Sequence, residues 1–502
     1  MFKGSPLWAS SRTLRFLGVM LFLASLCVGL VRSHLSGNQF GYAYSDGQCY
    51  YLWAESMALD GDLNHSNNWR DADNAALPGG YDNRFTPRGY VLNKYPIGFG
   101  LSILPALLPT HWFVSVIHAA SGSSFFEPDG RSPPYMIASA AVISLYATWT
   151  MCLLHRLLTR RLRYSPEVAM LAVVCFALSS HYFHYTVRNI FMPHVVGFFW
   201  VVLFIELSRQ AVEVNAKASR WYFLLFGASF AASMAVVVRP TNLLLILPFS
   251  LTLVPLILTS LPAQSAIQRK ILALFGSTSS RPMLKHGTEA NATLVIRSTP
   301  QSTERLPTLR FVFPLLWALT LGLTPIALQI ATWRITFGQW IVFSYANESF
   351  NWLDPKPILS LFSQFNGLFV YSPMFLLGSV CTVAFWRSIV RISTEARTIF
   401  ACAASGAIAL TYANSCWWNW WFGNAFGGRA YTEAGLIVVI GLASLFDFAS
   451  RSNRARWIVA SLIAVIVVYT FTLFAAVDLG KVRNYPTSLQ EMGMAYWPPS
   501  YK

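Results

Sequence analysis

Asp46 stands in Tyr44-Ser45-Asp46-Gly47, directly after the first apolar run of the chain, and is followed by Glu55, Asp60 and Asp62 in a stretch rich in Tyr and Trp. Apolar side chains suffice to anchor a span, so carboxylates crowded just outside one point to chemistry at the membrane surface. A carboxylate in that place can take a proton from a reacting hydroxyl. Ser-Asp-Gly is also good turn and helix-cap chemistry, and the second reading of Asp46 is purely local. Cations stand at comparable edges: Lys94 before Tyr95-Pro96, Arg239 in Val238-Arg239-Pro240-Thr241-Asn242, and Arg429 after Phe426-Gly427-Gly428. Each could face an anionic ligand at headgroup level, or simply anchor its span by snorkelling.

The elements that must position these groups are membrane helices. Of 502 residues, 55% are hydrophobic and only 12% charged, far from the roughly 25% charged residues of a soluble domain. Apolar runs near the bilayer-crossing length of about 20 residues fall at 14–31, 134–154, 168–187, 190–208, 221–238, 241–259, 311–331, 367–389, 398–414, 433–449 and 457–477. The sequence therefore predicts an all-α polytopic membrane protein with about eleven transmembrane helices and a large first extracytoplasmic loop, forming one membrane-embedded unit over 1–502. The apolar stretch 95–120 is broken by Pro96, Pro105, Pro109 and His111, and is read as interfacial or re-entrant. With that choice every basic cluster falls on one side, with Lys3, Arg12 and Arg15, which predicts a cytoplasmic N-terminus and an extracytoplasmic C-terminus.

The net charge of +16 is scattered over short inner loops rather than drawn into a stripe. Anionic inner-leaflet lipid accounts for it, and nucleic acid is not an expected partner. The first apolar run lacks an A-x-A-like site and is expected to be retained as a span. Cys49 and Cys416 both face outward by this topology, leaving one disulfide open, and no Cys/His spacing suggests zinc.

The outer stretch 32–133 is long enough to be functional, with a short surface helix expected after Asp46 and irregular loop over 64–80. Asp71, Asp73 and Asp82 read as solvated loop charges. The inner stretch 260–310, rich in Ser, Thr, Arg and Lys, reads as a flexible cytoplasmic loop, in which Asn291-Ala292-Thr293 is a chance match to a glycosylation acceptor. The runs either side of Arg239 are together too long for one helix and must be two spans meeting there.

In order along the chain, Ser45-Asp46-Gly47, Tyr51-Leu52, Gly61-Asp62-Leu63, Asn93-Lys94-Tyr95-Pro96-Ile97-Gly98, Val238-Arg239-Pro240-Thr241-Asn242, Phe350-Asn351-Trp352, Gly367-Leu368-Phe369-Val370-Tyr371-Ser372-Pro373, Trp417-Trp418-Asn419-Trp420-Trp421 and Phe426-Gly427-Gly428-Arg429 form a pattern. It resembles the bacterial relatives of the protein O-mannosyltransferase and aminoarabinose-transferase group, membrane glycosyltransferases of the GT-C superfamily similar to glycosyltransferase family 39. The likeness touches most of the chain outside 260–310.

The resemblance implies an inverting transfer of a sugar from a polyprenyl-phosphate donor to a protein, lipid or glycan acceptor. The reaction would run on the extracytoplasmic face of a plasma (inner) membrane, without a cofactor. Asp46 matches the family's base. Lys94, Arg239 and Arg429 would hold the donor phosphate, where an ion pair at about 4 Å is worth up to about 4 kcal/mol at an effective dielectric of about 20. Glu55, Glu348 and Trp418 are candidate acceptor or sugar contacts; the competing readings are a solvated loop charge for Glu348 and an aromatic belt for the tryptophan run.

One departure matters. Where relatives carry an acid near Met-Ser-His, this chain reads Val187-Arg188-Asn189-Ile190-Phe191-Met192-Pro193-His194. No metal is expected, although His181, His184 and His194 could gather around a cation, and Arg188 would face phosphate instead. The rival functions are a lipid-linked sugar flippase or transporter and a catalytically silent scaffold. A transporter typically places charge at mid-membrane, and the acids Glu206 and Asp447 lie near span ends.

Overall fold

The computed structural model describes residues 7–36, 46–68, 85–214, 219–260, 305–345, 348–488 and 491. Asp71, Asp73, Asp82, Ser45 and nearly all of 260–310 lie outside them. The described chain is helical: α1 (Leu7–Ser36), α2 (Asp46–Leu59), α3 (Gly98–Ser121), α4 (Pro133–Arg156), α5 (Pro166–Leu178), α6 (His181–Val187), α7 (His194–Glu213), α8 (Ser219–Val238), α9 (Leu243–Ser260), α10 (Arg305–Gly322), α11 (Thr324–Thr336), α12 (Pro357–Phe362), α13 (Leu368–Tyr371), α14 (Pro373–Ile392), α15 (Thr394–Cys416), α16 (Gly435–Ala449) and α17 (Asn453–Asp478). Among the described residues nine helices are long and apolar enough to cross a membrane, and eleven if each of two bent pairs counts as one span. This is a multi-pass membrane protein.

Local sequence explains where the spans start and break. Pro133, Pro166 and Pro373 open α4, α5 and α14, where a missing N–H costs nothing. The side chains of Ser165, Ser393 and Ser452 cap α5, α15 and α17 by accepting from Val168, Ala396 and Ala455 N–H. The 168–187 run is not one straight helix: it bends by 68° between α5 and α6, where the Ser180 side chain accepts from Tyr182 N–H and starts a new helix. A second bend, of 50°, separates α10 from α11 just ahead of Pro325. α14 and α16 approach so closely that a Cβ on Gly441 would overlap the Gly378 carbonyl, the small-residue contact typical of membrane helices.

α3, expected from sequence to be interfacial or re-entrant, instead runs unbroken through Pro105 and Pro109 and is long and apolar enough to cross. Gly98 lies against Val237 and Val238 at the C-terminal end of α8, with a Cβ there about 2.5 Å from Val238 N. His111 Nδ1 is 2.6 Å from the hydroxyl of Tyr135 in the first turn of α4, and Phe113 packs on Phe126 just before α4. α3 thus starts at the end of the bundle where α8 finishes, the end to which α2 also packs. That end holds the site described next. At the opposite end, Arg156 and Arg161 close onto Glu206, with Arg161 also on Glu213 and Glu395.

Candidate functional site

α2 opens at Asp46, an acidic first turn that suits the positive end of the helix dipole. Its carboxylate Oδ2 accepts from Arg429 Nη2 at 2.6 Å, with 22% of the Asp46 side chain and 14% of the Arg429 side chain exposed. Arg429 starts a short 3₁₀ turn, Arg429–Ala434, that enters α16. It is delivered there by Gly427 at φ 67°, where a side chain would be strained and would meet Tyr371 and His181.

Lys94 reaches the same place by a different route. Asn93 pins its segment to α2, donating to the Cys49 carbonyl at 2.8 Å and accepting from Tyr95 N–H at 3.1 Å. Ser344 donates to the Lys94 carbonyl at 2.6 Å. The ammonium lies 2.6 Å from Glu348 Oε1 and within 6 Å of the Tyr95 and Tyr345 rings, a buried cation held by a carboxylate and two aromatic faces. Glu348 is therefore a buried partner of Lys94, 8% exposed, and not the solvated loop charge that sequence allowed. Its loop is fixed by the Phe350–Trp417 bridge, with Asn351 N–H donating to the Cys416 carbonyl at 2.6 Å.

Behind these pairs, Arg239 Nη1 lies 2.9 and 2.8 Å from the two oxygens of Glu433 and 3.1 Å from His194 Nδ1. Glu433 is 1% exposed, and a buried charge is tolerable only when paired in this way. Tyr50, Tyr95 and Tyr345 fill the space between the pairs: Tyr50 and Tyr95 centroids are 4.3 Å apart, Tyr95 and Tyr345 6.0 Å.

The electrostatics follow from this crowding. Burial pushes the Asp46 carboxyl up, but the Arg429 and Lys94 charges, with hydrogen bonds from Arg429 and Tyr95, outweigh it and hold the pKa below the ordinary 3.8. Burial, reinforced by the Asp46 charge, pushes the Tyr95 phenol well above its usual value, and burial does the same to Tyr50. The site therefore presents an ionised carboxylate and three cations among neutral phenols. Each cation is already matched by one carboxylate: Arg429 by Asp46, Lys94 by Glu348, Arg239 by Glu433.

Asp46, Lys94, Arg239, Arg429 and Glu348 thus come together from five separate parts of the chain. Other candidates do not join them. Glu55 is buried, both its oxygens taken by Arg131 at 3.0 Å, and Arg131 also bonds the Asn68 carbonyl; the pair ties α2 to the start of α4. Arg188 bonds Asp478 at the end of α17 at 2.8 Å. Trp418 packs edge-on to Trp421, and its backbone N–H donates to the Ser349 carbonyl at 3.1 Å. The tryptophan run is not wholly a lipid-facing belt, because Trp420 and Trp421 are 2% and 6% exposed and pack with Phe365 in a small core of their own.

The three histidines separate too. His181 bonds Ser372 and Thr432, His184 stacks on Phe426, and His194 faces Arg239 and Glu433. Among the described residues no group of three His, Cys, Asp or Glu side chains is placed to hold a metal ion. Cys49 and Cys416 are both buried thiols.

Sequence reasoning passed over Glu433 and the three tyrosines. The signal for Glu433 was available: an acid opening a long apolar run is expensive in a membrane and points to a partner.

No family model matches the chain, and no curated protein matches it. Its structure is similar to solved oligosaccharyltransferases of Archaeoglobus fulgidus. AglB in complex with an inhibitory peptide and a dolichol-phosphate is 14% identical over 95% of this chain and 56% of that one, with a TM-score of 0.46. The apo form is 12% identical over 95% and 57%, TM-score 0.44, and the complex with Zn and sulfate 13% identical over 95% and 52%, TM-score 0.39. This chain spans little more than half the length of each.

Proposed function

We propose that the chain is a membrane glycosyltransferase that moves a sugar from a polyprenyl-phosphate donor to a hydroxyl acceptor on the extracytoplasmic face, with inversion at the anomeric carbon. The observation that carries this reading is the meeting of the ionised Asp46 with Arg429, Lys94 and Arg239 at one end of the bundle. Glycosyl transfer needs both kinds of group. The acceptor oxygen forms a bond to the anomeric carbon as that carbon's bond to the phosphate oxygen breaks. The hydroxyl proton passes to the Asp46 carboxylate, and the polyprenyl phosphate leaves with the bonding electrons.

The cations act on the leaving group. Arg429, Arg239 and Lys94, with 14%, 12% and 9% of their side chains exposed, are the groups that meet the phosphate, Arg429 the most open of the three. A phosphate arriving at Arg429 competes with Asp46 for the guanidinium. Donor binding thereby loosens the partner that holds the Asp46 pKa down and leaves a stronger base at the moment one is needed. Glu348 plays the matching part for Lys94.

In this reading the N-terminus is cytoplasmic, the Asp46 end faces outward and the membrane is the plasma (inner) membrane. The test is release of polyprenyl phosphate from a panel of polyprenyl-phosphate sugars by the purified chain in lipid, comparing it with Asp46→Asn and Lys94→Ala. Turnover abolished by Asp46→Asn supports the base assignment; turnover that survives it moves the base elsewhere. Movement of donor between leaflets with no release would favour the flippase.

A further inference from the structure

We infer that the end of the bundle opposite Asp46 carries a binding site for a phosphate-bearing anion, built on Arg160 and Arg220. A cavity of about 220 Å³ opens there, lined by Arg156, Arg160, Arg161, Arg220, Gln210 and Glu213. Its basic character has a local cause. α4 ends in a π-helical turn, Leu157–Arg161, with Leu162 N–H donating to the Leu157 carbonyl at 3.1 Å. This i→i+5 winding turns Arg156, Arg160 and Arg161 toward one side, and Arg220 arrives opposite them on the first turn of α8.

The four guanidiniums are not equivalent. Arg156 and Arg161 form the back wall, occupied by Glu206 at 2.7 and 4.0 Å, with Arg161 also held by Glu213 and by Glu395 at 3.1 Å. Arg160 and Arg220 are exposed and, among the described residues, neither has a carboxylate within 4 Å. Among the described residues two uncommitted cations therefore face a cavity whose other arginines are already taken up by Glu206, Glu213 and Glu395. Guanidinium forks match phosphate oxygens in pairs, and the neutralising charge for an anion here comes from Arg160 and Arg220, since the back-wall arginines are already paired.

The location narrows the source of the anion. α4, α7 and α8 are all of membrane-crossing length, and all three terminate at this cavity, which sets it at headgroup depth. Basic pockets between helices at that depth suit anionic phospholipid headgroups, and a soluble phosphate compound carries the same chemistry.

The test uses the full purified chain in neutral detergent. Retention is measured by native mass spectrometry for phosphatidylglycerol and for phosphatidylcholine, and thermal protection is measured with inorganic phosphate. Arg160→Gln/Arg220→Gln is compared with Arg454→Gln, an exposed arginine elsewhere at the same end; all three changes lie on the surface, and elution profiles check that they fold. Preferential retention of phosphatidylglycerol, weakened at least about tenfold in the double variant and unchanged in Arg454→Gln, supports a headgroup site. Protection by inorganic phosphate with the same variant pattern and no lipid preference supports the site with a soluble source. Equal behaviour of the native chain and the double variant toward every probe, or an equal loss in Arg454→Gln, overturns it, the latter because diffuse surface charge would then be the cause.

Discussion

The Asp46 carboxylate and the Arg429 guanidinium, 383 residues apart in the chain, meet at 2.6 Å at the start of α2. A pair so placed has two states available: closed on itself, or opened by an anion that takes the arginine. In the closed state Asp46 stays ionised to unusually low pH.

That gives a pH dependence with a definite sign. kcat/KM reports the free enzyme, so its acidic limb lies below the ordinary aspartate value of 3.8. The pair's contribution to stability is present above that value and is lost as pH falls through the lowered folded pKa. A pH–rate profile measures it; an acidic limb near 6 would contradict an ionised Asp46 in the resting site.

Asp46→Asn keeps an oxygen for Arg429 but cannot accept the proton. Turnover should drop by about 10²- to 10⁴-fold, well beyond the loss of folded yield that follows from leaving Arg429 without its counter-charge. Equal losses of turnover and folded yield would mean that the residue is a structural cap.

Glu433→Gln should be the most damaging single change at the site. It strips the part-buried Arg239 of its counter-charge, a loss of up to about 3 to 5 kcal/mol when one member of a buried pair is removed. Thermal unfolding of Glu433→Gln beside Arg239→Met/Glu433→Leu checks the cause, since the double change removes both charges and should recover much of the stability.

Lys94 and Glu348 can be separated by the same logic. Lys94→Ala leaves the buried Glu348 without its partner and lowers both stability and donor affinity, whereas Lys94→Ala/Glu348→Ala should regain stability and still bind donor weakly. Donor affinity that recovers in the double variant would remove Lys94 from the phosphate site.

His65 provides a pH effect on folding independent of catalysis. It is fully buried edge-on to Trp53, and burial lowers its pKa from 6.5 to about 4. Between those values the unfolded chain binds the proton and the folded chain does not, so stability falls as pH drops from 6.5 toward 4, by roughly 3 kcal/mol. Denaturation midpoints across that range should flatten in His65→Phe; an unchanged slope would place the titration elsewhere.

The membrane architecture was legible in the sequence because a span announces itself by composition alone: about 20 apolar residues admit no other stable placement. The local breaks at Ser180 and Pro325 were less legible, since each sits inside a stretch that still qualifies as one span by length and composition. Asp46, Lys94, Arg239 and Arg429 could be named from residue type, flanking motif and position at span ends. Their convergence could not, because it depends on how α2, α3, α8 and the turn before α16 pack.

Pairing decided the rest. Glu55 and Glu348 look alike in sequence, both acids near a span on the outer side by charge bias. Packing gave one to Arg131 as a tie between α2 and α4 and the other to Lys94 beside Asp46. Glu433 passed as an unremarked acid at the head of an apolar run, and only its contact with Arg239 and His194 gives it a part. The sequence by itself determined which groups are charged and at which span ends they stand, since burial in lipid is a property of each segment alone. Which charge neutralises which was left to the tertiary structure, because ion pairing acts over about 4 Å and depends on residues hundreds of positions away.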